Sequence, residues 1–288
     1  MRAASDPELK VYGIFGFPLG HTVSPSIQNC AFEYYKLKSI YFAFERPPAR
    51  FRFLMRNLKS LVLDGFNITV PFKETIALSL DRLSPEAKTI GAVNTVKKEK
   101  GRWIGYNTDT YGFLAGLHAA NFKSRGRSVL IFGAGGSARA VAYGLAKSGI
   151  REVFIANRTQ ARAQSLVNRF RKAFPKVQWS VSGLKGEKFQ SALLKSELVV
   201  NCTKVGLKKG NPSLIAKNLF PKRKILVYDL IYKPRRTKLL SIASAFGHKT
   251  VNGETMLLHQ GAKAFEIWTG KRAPVQKMRK ALQDALRS

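Results

Sequence analysis

The sequence predicts a two-domain α/β protein. Short apolar runs alternate with amphipathic stretches from Val11 onward, and a glycine-rich turn sits between a strand and a helix at Gly133. The 288 residues also exceed the length over which one hydrophobic core keeps growing.

The elements follow in order. Val11 to Gly16 reads as a strand, Ser24 to Leu37 as a helix, Ile40 to Glu45 as a strand, Ala49 to Leu58 as a helix and Phe66 to Val70 as a strand. Val93 to Val96 and Trp103 to Gly105 flank a polar segment with Gly101 near its tip, a hairpin-like end to the first lobe. Domain boundaries are expected at 1–110, joined by C-terminal helices in 254–288, and at 111–253. In the second lobe Ser128 to Phe132 is a strand. The helix after it repeats Ala138, Val141, Ala142, Leu145 and Ala146 at i, i+3, i+4, i+7, i+8 and stops at Gly149. Glu152 to Ala156, Glu197 to Asn201 and Ile225 to Leu230 read as further parallel strands, with a helix over Gln160 to Phe170, which makes this lobe doubly wound. Glu254 to Trp268 and Val275 to Leu286 read as two helices that return to the first lobe.

Composition narrows the function. With 45% hydrophobic residues the chain can bury sizeable cores, which excludes a largely disordered protein. Its 50 Lys and Arg against 17 Asp and Glu give a net charge of +33, a field that attracts polyanions. The basic residues are scattered, however, in short clusters such as Lys97-Lys98-Glu99-Lys100, Lys208-Lys209 and Lys222-Arg223-Lys224, with no nucleic-acid module around them, so no specific nucleic-acid partner is expected. Cys30 and Cys202 lack a metal-ligand spacing, so no metal is expected and both are expected as buried thiols. Met1 to Lys10 lacks an apolar h-region and no run of about 18 apolar residues occurs, which points to a cytoplasmic or other reducing compartment and no membrane.

Gly133-Ala134-Gly135-Gly136-Ser137-Ala138 fits G-x-G-x-x-A between a strand and a helix, the context that a dinucleotide fingerprint requires. Glycines let the backbone approach a pyrophosphate, and the helix N-terminus holds it with unpaired N–H groups. The lobe is therefore expected to be Rossmann-like. The next strand ends in Asn157-Arg158-Thr159, with Arg162 one turn on and no acid that would hydrogen-bond the ribose 2′-OH of NAD. Guanidinium groups there suit the 2′-phosphate of NADP. The plainer reading of Arg158 and Arg162 as solvated cations, with Thr159 an N-cap, stays open.

In the first lobe Ser24-Pro25-Ser26 is by itself a helix start, with Ser24 at the N-cap and Pro25 at N1, and two hydroxyls beside a helix N-terminus also suit a carboxylate. Lys73 follows a strand end and a proline, and Asp109 can cap a helix. Taken together, Gly16 through Ser26, Asn67-Ile68-Thr69-Val70-Pro71-Phe72-Lys73, Gly91-Ala92-Val93-Asn94-Thr95, Asn107-Thr108-Asp109, the fingerprint, Asn157-Arg158-Thr159 and Gly253 through Gln260 resemble the shikimate dehydrogenases from about Val11 to Gly270.

The resemblance implies an N-terminal substrate lobe, a C-terminal NADP lobe, a cleft between them that closes during turnover, and reduction of 3-dehydroshikimate to shikimate by NADPH. It gives Lys73 and Asp109 as the catalytic pair, with the owner of the proton left open. Ser24 and Ser26 become carboxylate ligands, Thr69 and Asn94 contacts to ring substituents and catalytic groups, and Tyr232 and Gln260 further substrate contacts. Gly133, Ala134, Gly135, Gly136, Ser137, Asn157, Arg158, Thr159, Arg162, Leu230 and Gly253 become cofactor contacts, and Asn201-Cys202-Thr203 resembles the strand-end loop over the cofactor. Thr110, where the family commonly has Gly, and Gly253-Glu254-Thr255-Met256 depart from its pattern. The oligomeric state is expected to be a monomer or homodimer. The nearest alternative is a quinate/shikimate dehydrogenase with relaxed substrate or NAD use.

Overall fold

The computed structural model describes residues 9–20, 22–208 and 210–287. Residues 1–8 of the leading stretch read for an h-region, His21 of the Gly16 to Ser26 segment and Lys209 of the Lys208-Lys209 cluster lie outside the described residues. The chain divides into two units, Met1–Thr108 with Leu258–Ser288, and Asp109–Leu257.

The first unit carries β1 (Lys10–Gly16), α1 (Ser24–Tyr34), β2 (Ser39–Glu45), α2 (Pro48–Arg56), β3 (Gly65–Ile68), β4 (Arg82–Leu83), α3 (Pro85–Ile90), β5 (Thr95–Glu99) and β6 (Arg102–Tyr106) in a sheet ordered β2-β1-β3-β5-β6-β4. β1 runs parallel to β2 and β3, whereas β5 is antiparallel to both β3 and β6. This mixed pairing sets Asn67 opposite Thr95, and Thr95 opposite Tyr106. The ends of β1 and β3, the start of β5 and the end of β6 consequently share one edge of the sheet.

The hairpin forms two residues later than the sequence suggests, because the Val93 N–H is taken by the Lys73 carbonyl at 2.7 Å instead of a strand neighbour. Its two-residue turn, Lys100 (φ +47°) and Gly101 (φ +75°), is left-handed, which matches the twist of the flanking strands. α1 stops at Tyr34 instead of Leu37, since Lys36 at φ +50° breaks the helical path. Ser24 is not its N-cap either. Val23 holds that position, and the Ser24 N–H is satisfied by Thr22 Oγ1 at 3.4 Å.

A cluster of aromatic rings fills the core of this unit. Phe51 stacks on Phe72 at 3.7 Å and 8°, Phe15 meets Phe66 edge-on at 5.3 Å, and Phe66 packs on Trp103 at 5.3 Å. Each buried ring contributes about 1.5–3 kcal/mol over an exposed one. The helix α10 (Val275–Arg287) and the part of α9 (Glu254–Thr269) from Leu258 onward belong to this unit, held by Trp268 Nε1 donating to the Val96 carbonyl at 2.9 Å.

The second unit is an all-parallel sheet of β7 (Ser128–Phe132), β8 (Glu152–Ala156), β9 (Gln178–Ser182), β10 (Leu198–Asn201), β11 (Leu226–Asp229) and β12 (Lys249–Val251), ordered β12-β11-β10-β7-β8-β9. Its helices are α4 (Asp109–Ala119), α5 (Gly136–Lys147), α6 (Gln160–Ala173), α7 (Glu187–Lys195) and α8 (Lys238–Ala245). The chain winds outward from β7 to β9, then returns to β10 and winds the other way, so the direction reverses between β7 and β10, where such sheets bind ligands. β9, α7, α8 and β12 go beyond the elements read from sequence. β12 has only three residues, and β9 alternates polar and apolar side chains over just five, a short period-two signal that the sequence reading passed over. Cys30 and Cys202 are in no disulfide and are half-buried, not buried as expected, because Cys30 lies at the flank of α1 beside the Lys277 carbonyl of α10 and Cys202 on the loop after β10. Among the described residues no helix is long and apolar enough to cross a membrane.

Two outcomes follow from packing in the second unit. A Cβ added at Gly116 would collide with the Tyr228 hydroxyl, a buried group with no hydrogen-bond partner among the described residues. Gly116→Ala should therefore cost about 1–3 kcal/mol in urea unfolding. Tyr228→Phe should be neutral or stabilising and should relieve the Gly116→Ala defect in the double variant, since it removes the clashing, unpaired hydroxyl. His248 stacks on Phe220 at 5.4 Å, and burial, then Lys224, lower its pKa. A depressed folded pKa means that the unfolded chain takes up the proton first, so stability is lost as pH falls through the ordinary histidine range near about 6.5. Unfolding free energies measured between pH 7 and 5 should fall less steeply in His248→Asn than in the native chain.

Candidate active site

The candidate substrate residues of the first unit are gathered by the shared sheet edge. After β3, the Thr69 N–H bonds the Phe15 carbonyl at 2.9 Å and the Phe72 N–H bonds the Thr69 carbonyl at 3.0 Å, closing a turn over Thr69 to Phe72. Phe72 is plugged into the aromatic core against Phe51, and the Lys73 carbonyl accepts the Val93 N–H, so the lysine backbone is fixed on both sides. Lys73 itself is half-buried. The Phe17 N–H bonds the Val70 carbonyl at 3.0 Å and ties the segment after β1 to the same turn.

Beneath this edge lies a buried polar network centred on Asn94, which is 2% exposed. Asn94 Oδ1 accepts the Thr108 N–H at 2.7 Å and the Thr95 hydroxyl at 3.1 Å, while its Nδ2 donates to Thr108 Oγ1 at 2.9 Å and to Gln260 Oε1 at 3.4 Å. Asn67 Nδ2 donates to the Asn94 carbonyl at 2.9 Å and to Thr95 Oγ1 at 3.0 Å, and Asn67 Oδ1 accepts from the Tyr41 hydroxyl at 2.7 Å. Burial holds the Tyr41 phenol well above its ordinary pKa, so it stays a donor. Asn107 Nδ2 donates to the Ala92 carbonyl at 2.9 Å, and Asn107 and Thr108 lead directly into Asp109, the first residue of α4 and 3% exposed.

Ser24 is the first residue of α1, buried at 8% exposure and accepting from the Thr22 hydroxyl at 3.3 Å, and Ser26 is exposed on the same turn. One turn further, the buried Gln28 donates to the Gly261 carbonyl at 2.9 Å, which sets the helix that carries Gln260. The edge thus brings Ser24, Thr69, Lys73, Asn94 and Gln260 into one unit. Tyr41, Gln28 and Thr108 have roles that sequence reading missed. Thr108 and Asn67 lie within the motifs, whereas Tyr41 sits in an apolar strand run that gives no signal.

In the second unit, β7 leads into Gly133 at φ +106°, a conformation that side-chain-bearing residues rarely adopt. A Cβ there would meet Thr203 at 3.2 Å and the Cys202 backbone at 3.4 Å. Gly135 caps α5 without any side-chain bond, which leaves the first-turn N–H groups of Gly136, Ser137 and Ala138 to a ligand. Asn157 Nδ2 donates to the Thr159 carbonyl at 2.8 Å and shapes the turn after β8, which presents Arg158 at the surface, with Arg162 exposed on α6. Thr159 occupies the N-cap of α6 but makes no capping bond. The glycine cradle, helix N-terminus and guanidinium together fit a phosphorylated dinucleotide.

Asp229 orders the segment holding Leu230 and Tyr232. Its carboxylate accepts from Asn201 Nδ2 at 3.0 Å, the Ile231 N–H at 3.1 Å and the Thr237 hydroxyl at 2.7 Å. Burial raises its pKa, opposed by those three hydrogen bonds. Burial also raises the Tyr232 phenol. The Leu230 N–H bonds the Asn201 carbonyl and the Gly253 N–H bonds the Ile231 carbonyl, both at 3.0 Å, and a Cβ at Gly253 would collide with the Leu230 carbonyl.

Both departures from the family pattern have local causes. Thr110 is buried and donates to the Ala140 carbonyl at 3.1 Å, joining α4 to α5. Glu254 pairs with Arg235 at 2.9 Å and accepts from Asn252 Nδ2 at 3.0 Å on the first turn of α9.

Family models match most of the chain. Residues 14–96 match the shikimate dehydrogenase substrate binding domain, residues 117–230 the shikimate / quinate 5-dehydrogenase model and residues 253–283 the shikimate 5′-dehydrogenase C-terminal domain. The chain is 39% identical to the shikimate dehydrogenase (NADP(+)) of Symbiobacterium thermophilum, covering 99% of this chain and 97% of that one. It is 40% identical to that of Methanopyrus kandleri over 98% of each. The crystal structure of shikimate 5-dehydrogenase from Thermus thermophilus in complex with NADP(H) and shikimate superposes with a TM-score of 0.83 at 35% identity, covering 96% of this chain and all of that one.

The network makes a graded prediction. Tyr41→Phe leaves one buried acceptor on Asn67 unmet and should cost about 1–3 kcal/mol. Asn94→Leu strands the Thr108 N–H and removes one partner from each of the Thr95 and Thr108 hydroxyls, and should cost more. Urea unfolding of both variants checks the order.

Proposed function

Because the chain belongs to the shikimate dehydrogenase family, we propose that it is an NADP-dependent oxidoreductase that reversibly reduces the ring ketone of 3-dehydroshikimate to shikimate, a step of aromatic amino-acid biosynthesis. The observation that carries the reading is the Asn94 network. It fixes Asn67 and the residues leading into Asp109 with short, buried hydrogen bonds and reaches Gln260 through a longer one, while backbone bonds beside it hold Thr69 and Lys73, the rigidity that transition-state electrostatics require.

Bound NADPH supplies the hydride. The residues of this chain bind, orient and protonate. Ser24 and Ser26, on the first turn of α1, hold the substrate carboxylate with hydroxyl donors reinforced by the helix dipole. Thr69, Asn94, Gln260 and Tyr232 contact the ring hydroxyls. The Lys73 ammonium donates to the ketone oxygen and gives it a proton as negative charge builds there, and Asp109 accepts from the neighbouring hydroxyl. Gly133, Ala134, Gly135, Gly136 and Ser137 take the pyrophosphate. Asn157, Arg158, Thr159 and Arg162 would take the adenosine ribose and its 2′-phosphate, while Leu230 would offer a backbone contact to the cofactor and Gly253 one on the nicotinamide side. On this reading residues 1–110 and 254–288 form the substrate domain and residues 111–253 the NADP domain. The protein acts as a monomer or homodimer in a reducing, cytoplasmic setting, with small molecules and no specific nucleic acid as partners.

Initial rates at 340 nm with shikimate and NADP, beside quinate and NAD, test the proposal. Lys73→Ala should lower kcat by about 10²–10⁴-fold, the usual worth of a positioned acid. Arg158→Ala should raise KM for NADP by about 10–100-fold, from loss of charge-assisted hydrogen bonds, and leave NAD kinetics unchanged. Turnover of quinate or NAD at rates comparable to shikimate and NADP would favour the relaxed-specificity alternative, and no turnover with either substrate would overturn the assignment.

A further inference from the structure

The second unit has a cavity of about 580 Å³ that none of the proposed site residues lines. Its walls come from the C-terminal half of α4, the turn at Arg235 and Arg236, α8, β12 and the start of α9. The volume lies in the range of small-metabolite sites.

The lining chemistry is one-sided. Arg235, Arg236 and Lys249 line the cavity together with the hydroxyls of Ser244, Thr250 and Thr255, and no carboxylate is among the lining residues. Two of the cations are already engaged. Lys249 Nζ donates to the Ala120 carbonyl at the end of α4 at 2.6 Å, and Arg235 pairs with Glu254. Arg236 has neither an ion pair nor a side-chain hydrogen bond among the described residues, and neither do the hydroxyls of Ser244, Thr250 and Thr255. A concave site with one uncommitted guanidinium, a lysine with spare donors and three idle hydroxyls can satisfy an oxyanion and adjacent hydroxyl groups at once. Three cations, of which one is paired with a carboxylate, Glu254, among the described residues, favour a doubly charged ligand.

We propose that this cavity is a second binding site, specific for a small hydroxylated dianion such as a phosphate monoester or a hydroxy-dicarboxylate. Its walls run into functional segments: Asn252 donates to the Arg235 carbonyl at 3.2 Å and directly precedes Gly253, and Arg235 lies three residues beyond Tyr232. An occupant would therefore bear on the loops of Tyr232 and Gly253, a means for a metabolite to modulate the enzyme. The binding test does not depend on the catalytic reading, so the two can fail separately.

The test is isothermal titration of the full chain saturated with NADP, so that the 2′-phosphate position is filled, with glycerol 3-phosphate, malate and inorganic phosphate in separate arms at fixed ionic strength. One saturable site is expected, tighter for glycerol 3-phosphate or malate than for inorganic phosphate, and the stronger of the two organic arms identifies the ligand class. Arg236→Glu should weaken binding by about 10–100-fold, as expected for loss of a charged hydrogen-bonding group. Ser244→Phe, which fills the cavity without changing charge, should weaken it similarly. Lys172→Glu makes the same charge change on exposed α6 and should alter binding less than about twofold, because screening limits its reach. Equal weakening by Arg236→Glu and Lys172→Glu, binding unaffected by Ser244→Phe, or no saturable binding in any arm would overturn the site.

Discussion

Asn94 is the point on which the first unit turns. One buried amide joins the chain before β5, the residues that enter α4 and the helix that carries Gln260, and through Asn67 it reaches β2 as well. A buried network of this kind tolerates little rearrangement. Each donor left unmet in a low-dielectric interior costs more than a made bond returns, so its members hold one geometry. The mixed sheet makes the network possible, because the antiparallel pairing of β5 with β3 on one side and with β6 on the other brings Thr95 opposite both Asn67 and Tyr106. Lys73 benefits at one remove. Its backbone is clamped by Val93, next to Asn94, and by the ring of Phe72 in the core.

The second unit solves a different problem, the close approach of one backbone segment to another. Gly133 supplies a conformation and a clearance that a side chain would abolish, and Gly253 supplies clearance beside the Leu230 carbonyl. Asp229 completes the arrangement by tying β10, β11 and the start of the Tyr232 loop through three hydrogen bonds to one carboxylate. Keeping that carboxylate buried opposes its ionisation, and the hydrogen bonds offset the cost. The charge of +33 acts on a longer scale. A field of that sign draws anions toward the molecule, without selecting among them.

The sequence by itself determined the α/β class, the strand–glycine–helix turn, the basic end of β8 and the order of the family motifs. These features are local: a period, a turn residue or a short spacing carries each within a few positions of chain. The helix in Gly136–Lys147 was readable because its apolar stripe repeats at the helical period over three turns, whereas β12 has three residues and the alternation of β9 spans only five. Only the tertiary structure decided which distant groups meet. Tyr41 reached Asn67 across 26 positions, and Gln28 reached Gly261 across 233, through side chains whose strand and helix settings look apolar or neutral in sequence. It also decided that Val23, not Ser24, caps α1 and that Glu254 pairs with Arg235, because satisfying a buried or terminal polar group depends on what packing brings beside it.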